Sequence, residues 1–235
     1  MVMRLSVRYT ASFAVLAALA LSAGIRAQAQ STAAPTAGNG TYIAADPLAD
    51  VRYDNRFDLS LGMAYDHMKA GPTLLQGSNL GGLDLSGSYW FSKHWAVEGT
   101  GRGYLGTSGA GINDLSINGP FVSQYIFAAG PEWLGPHNKH GALIAHVLVG
   151  GAYGNFEQDL RGNPPSSVAF YNDQLAPGAV IGGHMDLNRS AHWVFRITPD
   201  AVVTRYSINY PPKNTQTDVN FAISLGVEYK FKTKR

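Results

Sequence analysis

The sequence predicts an all-β protein, an eight-stranded antiparallel transmembrane β-barrel behind an N-terminal signal peptide. Three observations predict it. Large apolar residues alternate with small or polar ones along many segments, which is the period of a strand with two unlike faces. Charged residues are only 14% of the chain, while Gly numbers 27 and Tyr 12; soluble proteins carry roughly 25% charged residues. The connections between the alternating segments are long and short in turn, the layout of a barrel with two unlike ends.

The chain opens with basic Arg4 and Arg8, continues with an apolar run from Ala11 to Ala23, and reaches Ala27-Gln28-Ala29. This is the order of a secretory signal, so 1–29 is expected to be removed after Ala29. The apolar run is shorter than the roughly 20 residues of a spanning helix. There is no cysteine, which excludes a disulfide framework, a thiol nucleophile and a thiolate metal site. No later apolar run is long enough for a spanning helix, so any membrane crossing must use strands closed into a barrel. Residues 30–55, rich in Ala, Thr, Gly and Asp, read as a flexible lead-in. The barrel is expected over 56–231, followed by a basic tail, 232–235.

The last strand is the clearest. Phe221, Ile223, Leu225, Val227, Tyr229 and Phe231 share one face, and Ala222, Ser224, Gly226, Glu228 and Lys230 share the other. Lipid outside and a narrow polar interior would produce that pattern. The first strand, Arg56 to Asp66, repeats it, with Phe57, Leu59, Leu61, Met63 and Tyr65 opposite Asp58, Ser60 and Asp66. The second, Leu83 to Phe91, places Trp90 on the polar face as an exception. The third, Ala96 to Gly106, sets Val97 and Leu105 against Glu98, Thr100, Arg102 and Tyr104. A three-residue turn, Lys93-His94-Trp95, would put Trp90 opposite Glu98 and Arg102 diagonal to Asp84. The fourth strand runs from Phe121 to Trp133. The fifth, Ala142 to Tyr153, is apolar on both faces except at His146, so its orientation is open. The sixth, Gln174 to Leu187, and the seventh, His192 to Thr204, join at Arg189-Ser190-Ala191. That turn would put His184 opposite Arg196, with Asp186 on the diagonal. Pro199 lacks a ladder donor and suggests a bulge. Long loops are expected at 69–82, 107–120, 156–173 and 206–218.

With the strands laid out, the chain resembles the small outer-membrane β-barrel family that includes the OmpA membrane domain and opacity-type surface antigens. The resemblance covers Arg56 to Phe231. It rests on the alternation, the connection pattern and the closing Gly226-Val227-Glu228-Tyr229-Lys230-Phe231, in which Tyr229 and Phe231 are similar to the insertion signal of such barrels. It implies an outer-membrane location in a Gram-negative-type bacterium, insertion by the barrel assembly machinery, surface-exposed loops and no catalytic residues. The expected partners are outer-membrane lipid and lipopolysaccharide. No basic run points to nucleic acid.

The chemistry is sparse. The expected interior charges, Asp84, Glu98, Arg102, Asp186, Arg196, Asp200 and Glu228, would pair across strands and lock the barrel, because eight strands leave just enough interior for side chains to fill. A pore lining is the sharper alternative. Seven histidines show no dependable zinc spacing, so neither a metal nor a cofactor is expected. Gly99-x-Gly101-x-Gly103 lies inside a strand, which argues against a phosphate loop. Ser190, His192 and Asp186 are close in sequence, but no enzyme is expected from proximity alone. The function expected is a non-enzymatic membrane barrel displaying four loops. The alternatives are a small or gated pore, and a soluble periplasmic barrel of lipocalin type with its faces reversed.

Overall fold

The computed structural model describes residues 46–74, 76–111, 116–208 and 214–231. The signal segment, the lead-in up to residue 45 and the basic tail lie outside them. Eight strands follow in order: β1 (Phe57–Met68), β2 (Ser78–Trp90), β3 (Trp95–Thr107), β4 (Phe121–His137), β5 (Gly141–Asn155), β6 (Gln174–Asn188), β7 (Trp193–Ile208) and β8 (Asn214–Lys230). Each pairs antiparallel with the next, and β8 closes on β1 from Asp58↔Lys230 to His67↔Phe221. Closure leaves no strand edge unpaired, a requirement for any sheet that stands in lipid. The strands are 12 to 17 residues long, against the roughly 9–11 that cross a bilayer when tilted.

The faces follow the alternation. Leu83, Phe127, Leu175 and Val219 point outward, 60 to 73% exposed, whereas Glu98, Gln124, Glu132 and Tyr206 point inward and are fully buried. Apolar outside and polar inside is the reverse of a lipocalin, so the reversed-face alternative does not hold. Trp90 is inward, as its place in the pattern requires. The fifth strand is now oriented: Leu143, Val147, Val149 and Tyr153 face out, and Ile144, His146, Leu148 and Ala152 face in. On β3 the outward Gly101 and Gly103 lie opposite Phe127 and Tyr125. Those rings lie 3.5 and 3.4 Å from where a Cβ would stand. The glycine series therefore seats cross-strand aromatics rather than a phosphate.

One end of the barrel carries three short turns built alike. Ser92 Oγ accepts the amides of His94 and Trp95 at 3.3 and 3.0 Å. Ser190 Oγ accepts those of His192 and Trp193 at 3.3 and 3.1 Å. Asn138 Oδ1 accepts those of His140 and Gly141 at 2.7 and 3.2 Å. A short polar side chain that caps its own turn in this way holds the backbone without the ladder. Each turn then stitches itself to the next hairpin: the carbonyls of His94, His140 and His192 accept Leu134, Asn188 and Lys230 amides, each at 2.8 Å.

The two serine-capped turns are longer than the three residues expected, because the capping Ser lies inside the turn: the last ladder pairs are Trp90↔Ala96 and Asn188↔Val194. The register moves by two. Ser88 rather than Trp90 lies opposite Glu98, and Asp84 lies directly opposite Arg102. Asp186 rather than His184 lies opposite Arg196. A two-residue shift keeps every side chain on its face. Pro199 causes no bulge: the β6–β7 register is the same on both sides of it, and the ladder loses only the bonds around it. The actual register shift lies between Leu134 and His137.

The other end carries the loops. The connection expected over 206–218 is mostly strand. Tyr206↔Gln216 and Thr204↔Asp218 are paired, and Tyr206, Asp218 and Asn220 keep the inward alternation. Thr215, Thr217 and Val219 are β-branched residues suited to the pleat. Only 209–213 separates β7 from β8. The long 156–173 connection folds back over the lumen instead of standing away from it. A 3-10 turn, Pro165–Val168, ends at Ala169 in the left-handed region (φ 59°), and the Tyr171 amide then reaches the Ala70 carbonyl at 2.9 Å.

Candidate functional site

The lumen has two unlike halves. Toward the loops it is filled by an apolar cluster that includes Met68, Leu80, Tyr104, Val122, Ile126, Leu148, Val180, Val202 and Tyr206, closed from above by Phe156, Phe170 and Tyr171. The rings of Phe156, Tyr171 and Tyr206 lie 5.5 to 5.9 Å apart. Tyr171 donates to Asp218 at 2.5 Å. Burial first, then that hydrogen bond, pushes the Tyr171 phenol above its ordinary value.

Toward the turns the lumen is charged. All seven interior residues expected from the sequence are placed there on the inner face, each buried. Arg196 donates Nε to Asp186 Oδ1 at 2.8 Å and Nη2 to Asp186 Oδ2 at 3.0 Å, and Nη2 also meets Glu228. Arg102 reaches Asp200 at 2.5 Å and Asp84 at 3.4 Å. Asp84 also accepts Thr100 at 2.9 Å and Ser224 at 2.8 Å. The exceptional Trp90 donates its indole N–H to Asp58 at 2.6 Å, which is why a tryptophan stands on the polar face.

Part of the lead-in belongs to this end. Asn55 Nδ2 donates to Asp58 at 3.3 Å, the Tyr53 hydroxyl donates to the Asn138 carbonyl at 3.0 Å, and Asn188 Nδ2 donates to the Tyr53 hydroxyl at 2.7 Å. Lys230 Nζ stands 4.4 Å from the Tyr53 ring centroid, a cation–π distance. Trp90, Ala96, Leu134, Ala142 and Ile144 form a small apolar cluster beside Tyr53. These contacts tie Tyr53 and Asn55 to the turn end of the barrel.

Between these groups lies a cluster that spacing in the sequence did not single out. Glu98 on β3, His146 on β5 and His184 on β6 are buried together. Glu98 Oε2 is 2.7 Å from His146 Nδ1 and 3.1 Å from His184 Nε2, and the two ring nitrogens are 3.2 Å apart. The far nitrogens also have partners: His146 Nε2 meets Asp200 Oδ1 at 2.9 Å, and His184 Nδ1 meets Thr198 Oγ1 at 2.9 Å. Glycine makes the crossing possible. His146 pairs with Gly182, which pairs with Asp200, and a Cβ on Gly182 would lie 2.1 Å from Asp200 Oδ1. The one available signal was His146, the exception in the otherwise apolar run from Ala142 to Tyr153.

Ser190, His192 and Asp186 are not brought together. Ser190 caps its turn, His192 Nδ1 donates to the Lys230 carbonyl at 2.8 Å, and Asp186 is held by Arg196 inside the lumen. Tyr229 and Phe231 lie on the outside, with rings 5.1 Å apart, and Trp193 stands 4.9 Å from Tyr229. With Phe57 and Tyr89, 5.0 Å apart, they form an aromatic band at the turn end, where a membrane interface would lie.

No protein-family model matches the chain, and no curated protein is similar to it. Solved structures similar to it include the outer membrane protein OprG of Pseudomonas aeruginosa, at 18% identity and TM-score 0.49 over 78% of this chain and 99% of that one. Ail of Yersinia pestis is similar at 18% identity and TM-score 0.44, over 76% and 99%. Neisserial surface protein A is similar at 15% identity and TM-score 0.44, over 74% and 97%. The closed eight-stranded topology, the apolar outside and the charged inside make the chain a small β-barrel of the outer-membrane type.

Proposed function

We propose that this protein is a non-enzymatic barrel of a Gram-negative-type outer membrane, with a lumen that serves stability and loops that serve contact at the cell surface. One observation carries the reading: the lumen is occupied along its length, by packed rings toward the loops and paired charges toward the turns. A solute would have to displace both layers, which disfavours the pore. Lipid and lipopolysaccharide are the partners of the outer wall, and the assembly machinery is the partner during insertion, with Tyr229 and Phe231 at its signal. The residues for contact are those of 69–77, 108–120 and 156–173 that are not folded into the lumen.

The absence of cysteine makes the test clean. Glu157→Cys in the long loop and Lys93→Cys in a short turn each create a single thiol at an exposed position. In intact cells a membrane-impermeant maleimide should label position 157 and leave position 93 unlabelled until the outer membrane is permeabilised. Equal labelling of both, or recovery of the protein in the soluble periplasmic fraction, would overturn the proposal.

A further inference from the structure

Among the described residues, buried carboxylates such as Asp58, Glu98, Glu132, Asp200 and Glu228 outnumber the buried Arg102, Arg196 and Lys230. A dry interior does not hold excess anionic charge: its carboxylates take up protons or are met by a cation. The place where such a cation would be held best is the Glu98–His146–His184 triangle.

The hydrogen bonds set the argument. Asp200 as a carboxylate only accepts, so His146 Nε2 carries the hydrogen toward it. Thr198 Oγ1, whose hydroxyl takes either role, serves as the acceptor when His184 Nδ1 carries the hydrogen. In their neutral forms both rings then turn lone pairs inward, His146 through Nδ1 and His184 through Nε2, whereas an imidazolium at His146 would pair with Glu98 and Asp200 and leave no metal site. There they meet Glu98 Oε2, with three edges of 2.7, 3.1 and 3.2 Å. Three electron-rich atoms converge on one point. A proton on either ring makes one linear hydrogen bond and leaves the third atom facing a lone pair or another N–H. A metal ion serves all three at once. In a tetrahedral site with bonds of about 2.0–2.1 Å, neighbouring ligand atoms stand roughly 3.3 Å apart, close to the two His184 edges of 3.1 and 3.2 Å, while the 2.7 Å Glu98–His146 edge would have to open. The other carboxylate oxygen of Glu98, Oε1, is buried without a hydrogen-bond partner.

The geometry points to a divalent transition-metal site, of the zinc or cobalt class, formed by Glu98, His146 and His184 inside the barrel. Asp200 and Thr198 are its orienting residues, the arrangement in which metal-bound histidines give their second N–H to a carboxylate or other acceptor. Mixed imidazole and carboxylate donors suit zinc, cobalt or nickel rather than calcium or magnesium. The ion would tie β3, β5 and β6 across the lumen. That goes beyond the surface role proposed above and does not depend on it. The site is enclosed, so the ion enters while the barrel folds.

The test is to refold the full barrel from denaturant into detergent with cobalt present, then remove loose metal with a chelator and gel filtration. The folded chain should keep close to one cobalt ion and show the intense visible bands of a tetrahedral centre. His146→Gln combined with His184→Gln should keep at least tenfold less, while His140→Gln, in a turn, should keep the same amount as the wild type. Thr198→Val should bind metal about 10- to 100-fold more weakly. The unboiled gel shift identifies which variants fold. If the double variant does not fold, the wild type decides alone: a folded wild-type barrel without retained cobalt or tetrahedral bands overturns the site. So does equal retention by a folded double variant.

Discussion

The two halves of the lumen are solved in opposite ways. Toward the loops, Phe156, Tyr171 and Tyr206 fill the cross-section by ring packing, with polar groups such as Asp66, Gln124 and Asp218 set among the rings. Toward the turns, Arg102 and Arg196 each serve two carboxylates within the same width of barrel. Each half is fragile in its own way. A packed region loses stability in proportion to the volume removed and can relax partly around the gap. A buried ion pair contributes little net stability when intact, yet losing one partner strands the other charge in a dry interior.

The largest expected effect follows from that asymmetry. Arg196→Ala should lower unfolding stability by about 3–5 kcal/mol, because Asp186 and Glu228 are left buried and unpaired. Replacing Arg196, Asp186 and Glu228 together by Leu should restore most of it. Urea titration in lipid vesicles measures both, and a triple variant as weak as the single one would break the comparison. Phe156→Ala in the other half should cost about 3 kcal/mol by the same measurement, since the loop above it can settle into part of the cavity.

Tyr171 couples the packed half to pH. Its phenol is raised in the folded state, so folding favours the protonated form. That contribution is complete below the ordinary tyrosine value of about 10 and is lost as pH rises toward the folded value. Ultraviolet titration should show Tyr171 among the late-ionising tyrosines, and Tyr171→Phe should reduce the late amplitude by one residue's worth. A smaller effect is expected at the turns: Ser92→Ala removes two caps from the outside of the barrel and should cost about 1 kcal/mol. The smallest belongs to the exposed pair of Lys139 and Asp46, 3.1 Å apart. Lys139→Ala should leave the unfolding curve unchanged, because solvent screens such pairs.

Strands and faces were legible because a barrel in lipid enforces a period of two on nearly every residue, as β8 illustrates. What was not legible depended on one residue's position. The capping Ser92 and Ser190 lengthened their turns and moved the register by two, which turned two diagonal pairs into the direct ones, Asp84 with Arg102 and Asp186 with Arg196. The 206–218 segment looked like a loop because its polar residues, Gln216 and Asp218, face a lumen closed by tyrosines rather than by charge. The histidine cluster was hidden because its ligands come from three strands, and only the register of β5 and β6, with Gly182 between, brings them together. No local spacing encodes that.

In the proposed function both layers keep the lumen shut. Single-channel recording on the purified barrel in a planar bilayer tests it most directly. The wild type should show no stable, reproducible conductance. Steps should appear only when both layers are weakened, as in Phe156→Ala combined with Arg102→Ala. A steady wild-type conductance that Arg102→Ala or Arg196→Ala alone enlarges would contradict the account and make the charged layer a pore lining.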